Sequence, residues 1–257
     1  MIDSSAKIAK SAEVDDGVEI GPYCVVGPNV RIKKGTKLIS HVVVDGWTEI
    51  GEDNLIFPFT YLGAIPQDLK YKGEKTHLKI GDSNTIREGV TINLGTVQGG
   101  GVTSLGSNNL LMSYVHLGHD CQIGNHCIIA THCALAGHVV VEDYANIGGM
   151  VGISQFLNIG AYSYIGGQSG IEKDVLPFSI ALGQRPPHIR GANIVGLRRR
   201  GFAAETIQII NETIKLWIRP EVPKEQCLLE IESQYGDNPE IQQLVQFIKK
   251  STQGIIK

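Results

Sequence analysis

Two histidines and an acid stand close together in the segment Tyr114-Val115-His116-Leu117-Gly118-His119-Asp120, and a third histidine follows in Ala136-Gly137-His138. An imidazole exchanges protons near neutral pH, so a histidine beside a carboxylate suits general-base work. The ring would take a proton from an attacking group, and the acid would hold or polarise the ring. Spacing alone leaves a second reading open, in which these are ordinary exposed histidines on a flat surface. Two further series, Cys121, Cys127, Cys133 and His126, His132, His138, advance in steps of six. They resemble ligand sets until the surrounding period is read.

The elements that must position these residues repeat every six residues. Ile2, Ile8, Val14, Ile20, Val26, Ile32, Leu38, Val44, Ile50, Ile56 and Leu62 form one aliphatic series, resumed in phase at Ile80, Ile86 and Ile92. A second series starts one residue out of phase at Leu105 and runs in the same steps through Leu117, Ile129, Val141 and Ile153 to Ile171. Two residues before most of these positions stands a smaller side chain, such as Val18, Cys24, Val30, Thr36, Val115, Cys121, Cys127 or Cys133. Positions i−2 and i share one face of a strand, so each hexad offers a large and a small residue to an interior. Glycine often follows the aliphatic, where the chain has to bend.

One short strand and one corner per six residues describe a flat-sided coil. Three hexads close a triangular turn of about 18 residues, and turns stack at ~4.8 Å. The fold class expected is mainly β: a parallel β-helix of hexapeptide repeats. Residues six apart then lie on three different faces. The cysteine series cannot converge and fills the small interior position, and His126 and His132 become solvated face residues. Asp120 and His138 fall on neighbouring coils of one face, with His116 and His119 close by.

Two spans break the period, 63–79 and 98–104, and loops on a rigid scaffold are where binding groups gather. Pro177 is read as the end of the repeat. Beyond residue 202 the period becomes helical, with Ile207, Ile210, Ile214 and Ile218 on one face, a weaker pattern over 224–235, and a last helix opened by Asn238-Pro239. The expected organisation is a β-helix domain over 1–190 and a C-terminal α-helical bundle over 191–257. Between them lies a basic segment, Arg185, His188, Arg190, Arg198, Arg199 and Arg200.

The net charge of −3 gives no support to a nucleic-acid partner. No apolar run reaches the length of a signal peptide or a membrane span, so a cytoplasmic location without stable membrane insertion is expected. The five cysteines include no CxxC pair and are read as free thiols. A prism with flat sides offers no pocket by itself. A cleft needs a neighbouring copy, and a homotrimer is the natural arrangement.

Several segments together resemble the UDP-N-acetylglucosamine O-acyltransferases, the first enzymes of lipid A synthesis in Gram-negative bacteria. They are Gln67-Asp68-Leu69-Lys70-Tyr71, the run GTVQGGG at 95–101, Asn109-Leu110-Leu111-Met112, His119-Asp120-Cys121, Leu135-Ala136-Gly137-His138-Val139, Ile147-Gly148-Gly149-Met150, and Gly196-Leu197 with Arg199-Arg200-Gly201-Phe202. The resemblance covers nearly the whole chain, and it supplies the left-handed winding. It implies transfer of a 3-hydroxyacyl chain from acyl carrier protein to the 3-position of the glucosamine of UDP-GlcNAc. No cofactor and no metal belong to that reaction, because the donor arrives on the carrier's phosphopantetheine. His119 would be the base, Asp120 its orienting partner, and the backbone N–H of Gly137 the oxyanion donor. Gln67, Asp68, Lys70, His116, His138, Gln155 and Asn193 would contact substrate. Arg199 and Arg200 would meet the nucleotide phosphates and the carrier. Gly167 would set acyl length, leaving room for a long chain.

Three positions depart from the family pattern: Asn93 and Ser154 stand where histidine is usual, and Val195 where glutamate is usual. They leave open an acceptor with an amine in place of the hydroxyl, giving an amide. Two rivals use other chemistry. A zinc hydratase of the γ-carbonic-anhydrase type would draw on His116, His119 and His138, and an inactive scaffold would bind the carrier only. The related N-acyltransferase of the same pathway carries an additional N-terminal uridine-binding domain, whereas here the hexads begin at Ile2.

Overall fold

The computed structural model describes every residue of the chain except Arg185. That member of the basic segment lies outside the described residues.

Each hexad forms a short strand, most of them two residues long, such as Glu19–Ile20, Val25–Val26 and Arg31–Ile32. In each pair one side chain points out and the aliphatic points in. Strands pair in parallel with the strand three hexads away; Lys7 pairs with Val25 and Ile8 with Val26. Three sheets of nine, eight and ten strands result, forming a left-handed parallel β-helix. From Ile20 onward the large aliphatics are almost fully buried, and so are Cys24, Cys121, Cys127 and Cys133. Burial pushes the thiols of Cys121 and Cys127 up to about 12, so they are un-ionised packing groups. At some inward positions polar side chains form a ladder instead. Asn54 Oδ1 accepts from Asn84 N, Asn84 Oδ1 from Asn109 N, and Asn109 Oδ1 from Cys127 N, at 2.9, 2.9 and 2.7 Å.

The corners decide where the functional side chains stand. At most of them a non-glycine residue adopts the left-handed conformation, including Asp120, His126, His132 and His138 at φ 61°, 57°, 61° and 63°. His126 and His132 are therefore corner residues, a correction to their reading as face residues. Corner residues of successive coils stack: His126 on Tyr144 at 4.7 Å between ring centroids, Tyr144 on Tyr162, and His138 on Phe156 at 4.4 Å. The preceding residue of each corner has no ladder partner for its N–H, which is why proline fits there at Pro22, Pro28, Pro58 and Pro177.

Pro177 is accordingly a corner and not the end of the coil. One more parallel strand, Ser179–Leu182, follows it and pairs with Tyr164 and Ile165. Strands also begin inside both spans read as interruptions, at His77 and Val102, and continue one face without a break through Leu78↔Thr103 and Ile80↔Leu105. The irregular stretches are thus shorter than the lost period suggests.

An antiparallel strand, His188–Ala192, caps the last coil. Four helices follow: α1, Ile194–Arg199; α2, Ala204–Trp217; α3, Lys224–Tyr235; α4, Pro239–Lys250. Ile207, Ile210 and Ile214 of α2 are buried, while Ile218 is its C-cap. Asn238 caps α4 by accepting from Glu240 N and Ile241 N. The tail returns to the coil, where Ile255 bridges to Asp174. Among the described residues no helix is long and apolar enough to cross a membrane.

Candidate active site

His119 and Gly137 occupy the same place on successive coils, and Gln155 comes one coil later. Asp120, His138 and Phe156 form the adjoining column. The strand His116–Leu117 leads into this corner and sets its height. His119 Nδ1 lies 2.8 Å from Asp120 Oδ2. Against an acceptor-only carboxylate, Nδ1 must be the protonated nitrogen, which leaves Nε2 with a free lone pair. The imidazole lies over Gly137: a side chain there would put its Cβ 2.6 Å from His119 Cε1 and 2.7 Å from Nε2. The N–H of Gly137 has no partner among the described residues. A basic nitrogen and an unpaired donor thus sit side by side, one coil apart.

Asp120 is nearly sealed from solvent, and its oxygens are well supplied. Thr96 N donates to Oδ1 and Thr96 Oγ1 to Oδ2, each at 2.7 Å. Asp120 N donates to Thr103 Oγ1 at 2.7 Å. His138 stands edge-on to His119 with ring centroids 5.0 Å apart, and its Nε2 is 3.8 Å from Asp120 Oδ2. Burial lowers the His138 imidazole below its usual range; Asp120 opposes this and His119 adds to it. His116 is lowered too, by burial first and then by His119. Its Nδ1 lies 2.8 Å from Thr91 Oγ1. The sequence reading missed Thr91, Thr96 and Thr103. The glycine-rich run beside Thr96 was the one available signal, since a loop able to press against a neighbouring coil needs small residues.

The other candidate residues divide into three groups. Asp68 is near enough to raise the His138 imidazole, and it accepts from Lys70 N at 2.9 Å, while Gln67 and the Lys70 side chain are exposed on the same loop. Arg199 and Arg200 lie at a different corner, in a cavity of about 270 Å³ lined also by His126, Tyr144 and Asn193. Arg200 sits over the Tyr144 ring at 4.8 Å. Asn193 is largely occupied within the chain, since it accepts from Gly196 N as the cap of α1 and donates to Tyr162 O at 2.9 Å. Gly167 is exposed at the third corner, above Gly149. A single chain therefore assembles His116, His119, Asp120, Gly137 and His138, with Asp68 nearby. It does not bring Arg199, Arg200 or Gly167 to them.

His119, Asp120 and His138 place ligand-type atoms within 4.8 Å of one another. The set differs from the three histidines of the zinc reading, since His116 is not part of it. Both Asp120 oxygens already accept hydrogen bonds from Thr96 and His119, which favours a base with its orienting acid over a metal site.

A stacked-coil prism with a histidine–carboxylate pair beside a free amide defines an acyltransferase of the hexapeptide-repeat class. Residues 103–137 match the family model of bacterial transferase hexapeptide repeats, and residues 174–256 match that of domain 2 of the UDP N-acetylglucosamine O-acyltransferases. An acyl-[acyl-carrier-protein]–UDP-N-acetylglucosamine O-acyltransferase from Thermodesulfovibrio yellowstonii is 49% identical over 256 residues, 100% of this chain and 99% of the relative. The structure of LpxA from Acinetobacter baumannii superposes with a TM-score of 0.96 at 46% identity, covering 100% and 99% of the two chains. LpxA from Bacteroides fragilis, a UDP-N-acetylglucosamine acyltransferase, gives 0.97 at 41% identity with both chains fully covered. The chain belongs to the UDP-N-acetylglucosamine O-acyltransferase family.

Proposed function

We propose that this enzyme transfers a 3-hydroxyacyl chain from acyl carrier protein to the 3-position of the glucosamine of UDP-GlcNAc, the first step of lipid A synthesis. The observation that carries the reading is the His119 ring lying against the unpaired N–H of Gly137, with Asp120 fixing the tautomer. In the reaction, Nε2 of His119 takes the proton of the sugar 3-hydroxyl as its oxygen attacks the thioester carbon. The carbonyl oxygen becomes an oxyanion that accepts from Gly137 N–H. Collapse breaks the C–S bond, and the proton on His119 passes to the departing phosphopantetheine sulfur. A base of this kind contributes ~10²–10⁴-fold in rate, and an oxyanion donor about 3–4 kcal/mol. The residues present need no further cofactor for these steps. The names of the relatives, which specify acyl carrier protein and UDP-N-acetylglucosamine, support the choice of donor and acceptor.

Because Arg199, Arg200 and Gly167 stand at other corners, the complete site requires a second prism against the first. A homotrimer provides three such clefts. A cytoplasmic location accords with a soluble carrier and a nucleotide sugar as substrates.

One observation favours the amine acceptor as a second reading. Asn93 Oδ1 is buried without a partner, while its Nδ2 donates to Ile65 O at 3.0 Å. Asn93 follows Ile92, which pairs with Leu117, so it comes level with Gly118, the residue before the base. A hydroxyl has one hydrogen, which His119 takes. A neutral amine has two, and the second can satisfy Asn93. The test is acyl transfer from 3-hydroxyacyl carrier protein to UDP-GlcNAc and to its 3-amino analogue, side by side. Ester formation alone supports the first reading and amide formation alone the second. Transfer to neither acceptor rejects both.

A further inference from the structure

We propose that Thr96 is a positioning residue for the His119–Asp120 pair, and that the irregular loop around it exists to hold the acid in one orientation. The inference rests on His119 being the base. Most corners leave their left-handed residue in solvent; Tyr114 and Met150 are 60% and 61% exposed. Asp120 has the same backbone conformation yet is only 3% exposed, because the loop between the strands Thr91–Asn93 and Val102–Leu105 folds over it. Gly99 presses so close that a side chain there would overlap the carboxylate.

Thr96 grips both oxygens at once. Its N–H donates to Oδ1 and its hydroxyl to Oδ2, each at 2.7 Å, and its own Oγ1 accepts from Gly99 N at 3.2 Å. Oδ2 is also the oxygen facing His119 Nδ1. With the carboxylate clamped, Oδ2 cannot swing toward His138, 3.8 Å away, and the proton on His119 stays on Nδ1. Free rotation would let Asp120 share itself between the two histidines, and the His119 tautomers would mix. The hydroxyl of Thr96 thus acts on the base through the acid and touches no substrate.

The charged and titratable groups around His119 are Asp120, His116 on the strand below and His138 on the next coil, with Asp68 beyond His138. None of them duplicates the Thr96 hydroxyl. Thr96→Val removes that hydroxyl and keeps the backbone N–H and the shape. It should lower kcat about ten-fold with KM for both substrates unchanged, and Thr96→Ser should restore most of the rate. Ring ¹⁵N shifts of His119 in the folded enzyme should show one tautomer, protonated at Nδ1, in the wild type and Thr96→Ser, and a mixture in Thr96→Val. Wild-type kcat in Thr96→Val overturns the proposal. So does a loss of kcat with the single tautomer retained, because the defect then lies in the loop and not in the base. The tautomer is read without turnover, so the result stands apart from the identity of the acceptor. A wild-type rate in His119→Ala would reject the base itself instead.

Discussion

The ring of His119 fills the space that a side chain on Gly137 would need. The two residues are one coil apart, and Gly137 cannot gain a side chain without moving the ring. The backbone of Gly137 is not left-handed, so the absence of a side chain serves the ring and not the turn.

Gly137→Ala should therefore damage catalysis more than folding. A methyl group 2.6–2.7 Å from the ring atoms forces the imidazole aside. The expected result is a kcat at least ten-fold lower with a thermal midpoint within a few degrees of wild type, about 1 kcal/mol or less. Equal losses of activity and stability would show that the glycine is there for the fold.

His119→Ala should lower kcat/KM by at least ~10² while the protein folds normally, because a partly exposed corner histidine contributes little packing. Near-normal turnover would move the base to His116 or His138. An unaffected low rate in wild type and variant alike would fit a carrier-binding scaffold.

His116 and His138 should titrate below the usual 6.5, mainly because burial disfavours their charged forms. Between the lowered folded values and 6.5 the unfolded chain binds more protons than the folded one. Stability from these groups is then fully present above about pH 6.5 and declines as pH falls through the folded values. Denaturation midpoints at pH 7 and pH 5 should differ in this direction, and less so in His116→Gln. Ring-proton titration of the folded enzyme checks the values directly; a value above 6.5 for His116 would contradict the burial argument.

Reversing Arg199 and Arg200 to Glu should raise KM for the acylated carrier and weaken its dependence on salt, since acidic carriers are steered by positive charge. Arg200 is held over Tyr144, so its charge is presented from a fixed point. An unchanged KM would assign both arginines to the nucleotide alone.

Gly167→His should shift preference toward shorter acyl chains. The position is open to solvent, and an added Cβ meets the Gly149 backbone, O at 3.2 Å and N at 3.6 Å, so the variant should fold after a small local shift. An unaltered chain-length profile at an unaltered rate would show that the acyl groove runs elsewhere.

Much of this molecule was legible because one rule repeats. An aliphatic every six residues can only be an inward position, and the cysteines at i−2 followed from it. What the period hides is the corner. His126, His132 and His138 look like face residues in the sequence, yet their backbones are left-handed and their rings form columns. Pro177 looks like a terminator, yet the residue before a corner has no ladder partner for its N–H to lose. Asp120 and His138 were placed on adjacent coils by counting eighteen, and they do approach each other. Thr96 was invisible, because its contact crosses from an irregular loop to a coil and no period records that distance, and Thr103 was hidden because its strand Val102–Leu105 begins inside a span where the aliphatic period lapses. The same limit applies to Asn193, whose second task as the cap of α1 no period records.

The columns at the corners also constrain how such a chain can change length. Between Tyr114 and Tyr162 the aromatic corner residues stack on partners eighteen residues away, as in Tyr114–His132, His126–Tyr144, His138–Phe156 and Tyr144–Tyr162. Loss or gain of a single hexad there would turn everything downstream by about a third of a revolution. Gln155 would leave the edge that carries His119, and α1 with its arginines would be carried to another face. Only whole coils can be inserted or deleted in that stretch without scrambling the three edges. Lineages of this fold should therefore accumulate insertions of arbitrary size in the loops near Asp68 and beyond the last coil, and in the body of the prism only in multiples of a full turn.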